Sequence, residues 1–240
     1  VQAIAKACPN AEYRIGLSGT PARDSGDDLE IVAYIGPIAY EKSITWMVEH
    51  GYLVRPVIYY VKLRGNSSRF DNYRDLMSTY ICDNPERDKF IAFLAKQLES
   101  KGHRGLVLAE QVNHGEALSK LIPGADFIHG GDAASYRQAV IDDLTNNQTN
   151  TVVATSIIRE GVDIPPASYL IHAHPFKSFV VTWQRNGRVL RPFPGKEKAV
   201  IVDIVDTGNK WLPAHGARRL KYYRQEPCFD IKEREATLKA

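Results

Sequence analysis

Cysteine is scarce and scattered. Cys8, Cys82 and Cys228 are odd in number and form no CxxC pair. Thiols so placed argue against a disulfide scaffold and against a zinc finger, and they fit a reducing, intracellular compartment such as cytoplasm, nucleoid or nucleus. No apolar run approaches the roughly 20 residues that cross a bilayer, and no signal-peptide pattern opens the chain, so no membrane partner is expected. A strong charge of either sign is absent too. The 31 basic and 28 acidic residues leave +3 at neutral pH, which permits nucleic-acid binding without arguing for it. The chain starts at Val1 rather than Met, and its first residues are expected to be the middle of something longer.

What is present is an ordinary globular balance, 44% hydrophobic and 25% charged over 240 residues. Apolar strands alternate with helices. Leu53–Leu63, Gly105–Ala109, Ala125–Ile128, Thr151–Ala154, Ser168–Ala173 and Ala199–Asp206 read as strands. Helical patterns fall at Leu29–Ile35, Tyr40–His50, Tyr73–Cys82, Pro85–Ser100, Gly115–Leu121, Ala133–Leu144 and Phe179–Val189. Several strands are apolar at consecutive positions, as burial on both faces requires. The expected fold is α/β, a mostly parallel sheet flanked by helices. Tyr13–Leu17 reads as a further short strand running into Ser18-Gly19-Thr20-Pro21, which is either a ligand-side loop at a strand's carboxyl end or a plain turn.

Thr182–Arg191, TWQRNGRVLR, concentrates Gln184, Arg185, Arg188 and Arg191 in ten residues. At three-residue spacing, a helix through the arginines presents their guanidinium groups along one side. Such a row suits phosphate, because each fork donates two parallel charge-assisted bonds; a solvated basic face is the alternative. Thr155–Asp163, TSIIREGVD, begins where a buried strand ends. Thr155 and Ser156 with nearby backbone N–H groups make a phosphate cradle, Gly161 permits a close approach, and Asp163 orients the loop or caps a turn.

Taken together, LSGTP (Leu17–Pro21), TSIIREGVD (Thr155–Asp163) and QRNGRVLR (Gln184–Arg191) resemble motifs III, V and VI of superfamily 2 helicases and translocases. GLVLAE (Gly105–Glu110) is similar to motif IV, and IHGGDAASYR (Ile128–Arg137) to the strand-end segment between motifs IV and V. The continuations GRVLRPFPGK (Gly187–Lys196) and YRIGLSGTPARDSGD (Tyr13–Asp27) resemble the DExH-type branch that includes XPB-like and type III restriction-subunit proteins.

The resemblance implies a RecA-like second lobe over 53–210, preceded by the edge of a first lobe (1–28) and an inter-lobe connection (29–52), and followed by a basic and aromatic extension (211–240). It implies that Arg188 and Arg191 reach the γ-phosphate, with Arg191 as the arginine finger, and that Gln184 lies near the nucleotide or the attacking water. Arg185 would make inter-lobe polar contacts and Asp163 would couple the lobes, and Gly161, Asp163 and Arg185 would join Arg188 and Arg191 among the nucleotide-binding residues. Thr155 and Ser156, with His129 and Gly130, would lie against the nucleic-acid backbone, while Ser18 and Thr20 would link hydrolysis to lobe movement. No GxxxxGK[ST] loop and no DExH sequence occurs. ATP and Mg2+ would therefore be bound mainly by the missing first lobe, expected upstream of Val1, and the isolated chain would not hydrolyse ATP. DNA is favoured over RNA as the partner. The other reading is a nucleic-acid-binding or regulatory module that keeps a helicase-like fold without catalysis.

Three further features carry less. His172 and His174 alternate along a strand end without a third ligand at metal spacing, so no metal site is expected. Asp203 and Asp206, with Lys198 and Lys210 near in sequence, read as capping and solubilising residues. The tail from Lys210 to Arg224 interleaves bases and aromatics, which either stack on nucleobases or form an amphipathic helix packed through Leu220 and Tyr222–Tyr223.

Overall fold

The computed structural model describes residues 2–19, 28–65, 70–155 and 164–238. Its centre is a seven-stranded sheet built from β1 (Arg55–Arg64), β2 (Gly105–Leu108), β3 (Asp126–Ile128), β4 (Thr151–Ala154), β5 (Tyr169–His172), β6 (Lys198–Asp206) and β7 (Asp230–Thr237). The strand order is β3-β4-β2-β5-β6-β1-β7, and each ladder is parallel. The α/β, mostly parallel fold expected from the alternation is the one observed.

Parallel strands need crossover connections, and the helices that follow β1 supply them between most successive strands. The helices are α1 (Gln2–Ala7), α2 (Asp28–Ile35), α3 (Ile44–Glu49), α4 (Tyr73–Asp75), α5 (Pro85–Glu99), α6 (Val112–Leu121), α7 (Ala134–Thr145), α8 (Phe179–Gly187) and α9 (Leu212–Tyr223). One core layer joins Leu106, Leu108, Ile128 and Ile201 to Val140 and Leu144 of α7 and Tyr223 of α9. The opposite layer joins Val107, Val153, Ile171 and Val202 to Ile91 and Ala95 of α5 and Leu118 of α6. Neighbouring strand residues thus enter opposite cores, which is why these strands are apolar at every position. Gly105 is required where it stands, because a Cβ there would overlap the carbonyl of Tyr169 on β5.

Local chemistry accounts for the helix starts. Asn84 accepts from the Arg87 N–H at 3.1 Å, Pro85 occupies the first turn, and Glu86 and Asp88 complement the dipole. Ser178 does the same for α8, accepting from the Val181 N–H at 3.1 Å.

Several expectations change. Tyr13–Leu17 forms no strand; Tyr13, Ile15 and Leu17 are 79%, 84% and 95% exposed, with no strand of this sheet beside them to complete a ladder. The helix expected over Tyr40–His50 begins only at Ile44, where the Ser43 side chain accepts from the Trp46 N–H at 3.1 Å. Tyr73–Cys82 is not one α-helix, since α4 passes into a π-helical turn, Leu76–Cys82, that buries Leu76, Met77, Tyr80, Ile81 and Cys82. The tail is an amphipathic helix: Leu212, Leu220 and Tyr223 of α9 are buried, and β7 then joins the sheet beside β1.

Removing side-chain volume from the doubly covered sheet should be costly. Ile201→Ala, at a fully buried position, is expected to lower unfolding free energy by about 2–5 kcal/mol in urea titrations. Ile4→Ala, at 73% exposure, should change it by less than about 0.5 kcal/mol.

Candidate functional site

Parallel strands deliver their loops to a common carboxyl-end rim, and several of the singled-out residues sit there. Thr155 follows β4, donating its backbone N–H to Ile128 O at 3.2 Å, and its side chain is nearly buried. His129 follows β3 and shapes a tight turn. Its Nδ1 accepts from the Gly131 N–H at 3.0 Å, so the proton lies on Nε2, which faces Asp132 Oδ1 at 3.2 Å. Asp132 also accepts the His129 backbone N–H at 2.6 Å, and Gly130 lies inside this turn.

Arg185 reaches the same rim from α8. Its Nη2 donates to Glu110 Oε2, just beyond β2, at 2.6 Å, and its side chain is 5% exposed. Its guanidinium carbon lies 4.9 Å from the centre of the Phe176 ring. Arg185 thus holds α8 to the carboxyl-end rim of the sheet.

The helix does not continue through all three arginines. It ends at Gly187, after which Arg188, Val189 and Leu190 make the tighter turn bonds to Arg185, Asn186 and Gly187. Leu190 O accepts from the Val54 N–H at 2.8 Å, and Lys196 Nζ donates to Arg191 O and to Pro165 O, each at 2.8 Å. Val54 and Pro165 precede β1 and β5, so the Arg191 backbone lies by the amino ends of the strands. The expected single helical row is therefore a segment that descends from the carboxyl rim at Arg185 to the opposite end at Arg191.

A second surface meets α8 from the amino-terminal part of the chain. Ser18, Gly19, Ile31, Met47, Gln184 and Gly187 help line a cleft of about 1000 Å³. Gln184 is exposed into it, and Arg188 follows directly on Gly187. The cleft floor is tied down where the Thr45 N–H and hydroxyl donate to Glu226 Oε2 at 3.0 and 2.8 Å. Thr20, Ser156, Gly161 and Asp163 lie outside the described residues.

Asp203 and Asp206 are not surface caps. They are 0% and 1% exposed on β6, and each is gripped by an arginine fork. Arg219 donates to Asp203 through Nε at 2.8 Å and Nη2 at 2.6 Å; Arg87 donates to Asp206 through Nε at 2.9 Å and Nη2 at 3.2 Å. Tyr223, its hydroxyl held protonated by burial and then by the Asp203 charge, donates to Asp203 Oδ2 at 2.9 Å. Local sequence reading missed these pairs because their members lie 119 and 16 residues apart, on different elements. Two carboxylates inside the apolar run AVIVDIVD were the available signal, since buried charge demands a partner.

His172 is committed to the fold. Its Nε2–H donates to Asn186 Oδ1 on α8 at 2.9 Å, which fixes the tautomer because that oxygen can only accept. Among the described residues no three His, Cys, Asp or Glu side chains gather to hold a metal ion.

With the carboxyl-end rim and the arginine segment placed, comparison with known proteins is direct. A family profile described as "Helicase conserved C-terminal domain" matches residues 87–192, which run from Arg87 past Arg191. This segment of the chain is therefore similar to the C-terminal domain of helicases. It is 28% identical to putative helicase 22 of Sulfolobus islandicus filamentous virus over 82% of this chain and 38% of that protein. It is 29% identical to the putative DNA 3'-5' helicase Rad25 of Haloarcula marismortui over 80% of this chain and 31% of that one. The crystal structure of phage T4 UvsW superposes with a TM-score of 0.67 at 21% identity, over 78% of this chain and 42% of that one, a likeness of fold. The chain thus spans less than half the length of each of these relatives. No helix among the described residues is long and apolar enough to cross a membrane.

Burial holds the pKa of His172 down to about 4 from 6.5, so the domain folds around a neutral imidazole. Below about pH 6.5 the unfolded chain protonates this histidine while the folded one does not. Stability from this group is therefore complete above pH 6.5 and lost as pH falls towards about 4, by up to ~3 kcal/mol. Urea midpoints measured at pH 7 and pH 4.5 should show a smaller acid loss for His172→Gln than for the unaltered chain.

Proposed function

We propose that this chain supplies the arginine-bearing lobe and part of the strand-binding surface of an ATP-dependent DNA helicase or translocase, whose nucleotide sits mainly on a separate RecA-like lobe. The observation that carries this reading is the cleft in which Ser18 and Gly19 face Gln184 and Gly187, with Arg188 next in the chain. In this reading residues 1–28 are the edge of the first lobe, 29–52 the connection and 53–210 the second lobe, with α9 and β7 an addition sharing its sheet.

The chain's own contributions follow from its chemistry. Guanidinium groups suit the equatorial oxygens of a phosphoryl group in transfer, where charge is spread and water excluded. Bound ATP with Mg2+ would supply that group. Arg188 and Arg191 would stabilise its charge, Gln184 would orient a water or the nucleotide, and Arg185 would keep the segment in place through Glu110. Because the arginines and the nucleotide would lie on different lobes, closure and hydrolysis are coupled. On the carboxyl rim, Thr155, Ser156 and the His129–Gly130 turn would hold a sugar-phosphate backbone without reading sequence. Gly161 and Asp163 would connect that grip to the nucleotide side, and Ser18 and Thr20 would transmit the movement. Printed names of relatives include both DNA and RNA helicases; the DNA assignment follows the Rad25-like and UvsW-like ones.

In the protein containing both lobes, Arg191→Ala is expected to lower strand-stimulated ATPase kcat by about 10³-fold or more, as for arginine fingers of GTPases, with strand affinity little changed. Normal turnover by Arg191→Ala and Arg188→Ala together would refute the reading. Fluorescence titration of labelled single strands should show affinity falling steeply as salt rises, with DNA bound more tightly than RNA. Equal or reversed preference would overturn the DNA assignment alone.

A further inference from the structure

The polypeptide between β5 and α8 is short, and it delivers the arginine segment from the sheet. Two of its backbone carbonyls are held by buried arginines from distant parts of the chain. Arg87 Nη1 donates to Ala173 O at 2.6 Å, and Arg219 Nη1 donates to Phe176 O. The same guanidinium groups fork onto Asp206 and Asp203, so each carbonyl is referenced to β6 through a rigid planar group. The Phe176 ring stacks with the guanidinium carbons of Arg219, at 4.7 Å, and of Arg185, at 4.9 Å. Arg185 closes the chain on Glu110 at 2.6 Å. A third tie, His172 to Asn186, fixes the far side of α8.

We propose that Asp203, Arg219 and Phe176 are positioning residues that set the placement of the segment from Gln184 to Arg191. The line of contact runs from β6 through Asp203, Arg219, Phe176 and Arg185 to Glu110. Asp203 and Arg219 lie outside residues 87–192, the span shared with the helicase family profile, and nothing in that match assigns them a part. A well-packed apolar substitute would satisfy stability at this depth as well as an ion pair does, or better. What it lacks is direction. A forked guanidinium with a third donor fixes the Phe176 carbonyl relative to two carboxylate oxygens, whereas methylenes leave the loop free to slide. A displacement of about 1 Å in a catalytic group carries a cost on the order of 10²-fold in rate, so such a device matters most where a phosphoryl-stabilising arginine must meet its target. In that functional respect the proposal rests on the reading of Arg188 and Arg191 given above.

The test uses two variants and two readouts. The double variant Asp203→Leu/Arg219→Met removes both charges together, and Arg219→Lys keeps the charge while losing the fork. In hydrogen exchange followed by mass spectrometry on this chain, peptides covering 176–191 should exchange at least tenfold faster in either variant, while peptides of β2 and β4 keep their protection. Unchanged exchange across 176–191 in a folded variant overturns the proposal; if the double variant does not fold, Arg219→Lys decides. In the protein with both lobes, either variant should lower ATPase kcat at least tenfold with KM for ATP within twofold. A fall in Tm without that split marks a purely structural role and overturns the proposal. Arg191→Ala is run alongside. If it leaves kcat unaltered while exchange across 176–191 still rises, the phosphate reading fails and the positioning of the segment stands.

Discussion

A carboxylate cannot stay charged inside a protein without a partner, and β6 carries two of them. Asp203 and Asp206 stand three positions apart on the strand, an odd offset, so they point into opposite layers of the core. Asp203 faces α9 and finds Arg219; Asp206 faces α5 and finds Arg87. One strand thereby clamps a helix on each side of the sheet, and each clamp extends one further donor to the loop that begins α8. The surrounding apolar layers supply most of the burial energy, but they are indifferent to small rotations of a helix. The forks are not, since each guanidinium meets its carboxylate through two directed bonds.

Much of the architecture is legible from local pattern. Four-to-seven-residue apolar runs separated by helical ones specify a parallel sheet because no other arrangement buries such strands on both faces. The runs from Leu53 to Asp206 fall within a few residues of the observed strands. Two departures share a cause. Tyr13–Leu17 has strand composition but no ladder partner here, and DIKEREAT has almost no strand composition yet pairs with β1. Pairing is decided by what lies alongside, and composition reports only on burial, which Tyr13–Leu17 lacks and β7 scarcely needs.

The candidate site was legible in part. Gln184, Arg185, Arg188 and Arg191 stand out by type and spacing, and Thr155 by its place after a buried strand. Periodicity carried the helix too far, because Gly187 gives no side chain to prolong it and Leu190 is drawn towards Val54. The commitments of Arg185 to Glu110 and of Arg219 to Phe176 depend on contacts across 75 and 43 residues of chain. No local window contains both members of such a pair. The family profile ends at residue 192, yet Asp203 and Arg219, which reach the loop before its last helix, lie on β6 and α9 beyond it.

The two margins of the sheet have a consequence of their own. At one side β3 contributes only three residues. At the other β7 carries Lys232, Glu233, Arg234 and Glu235 in succession, with Lys62 and Arg224 already paired to Glu233. A brief margin and a charged one both discourage addition of another strand. The sheet is thereby closed to extension at both sides, which leaves its loops and helix surfaces as the faces open to contact.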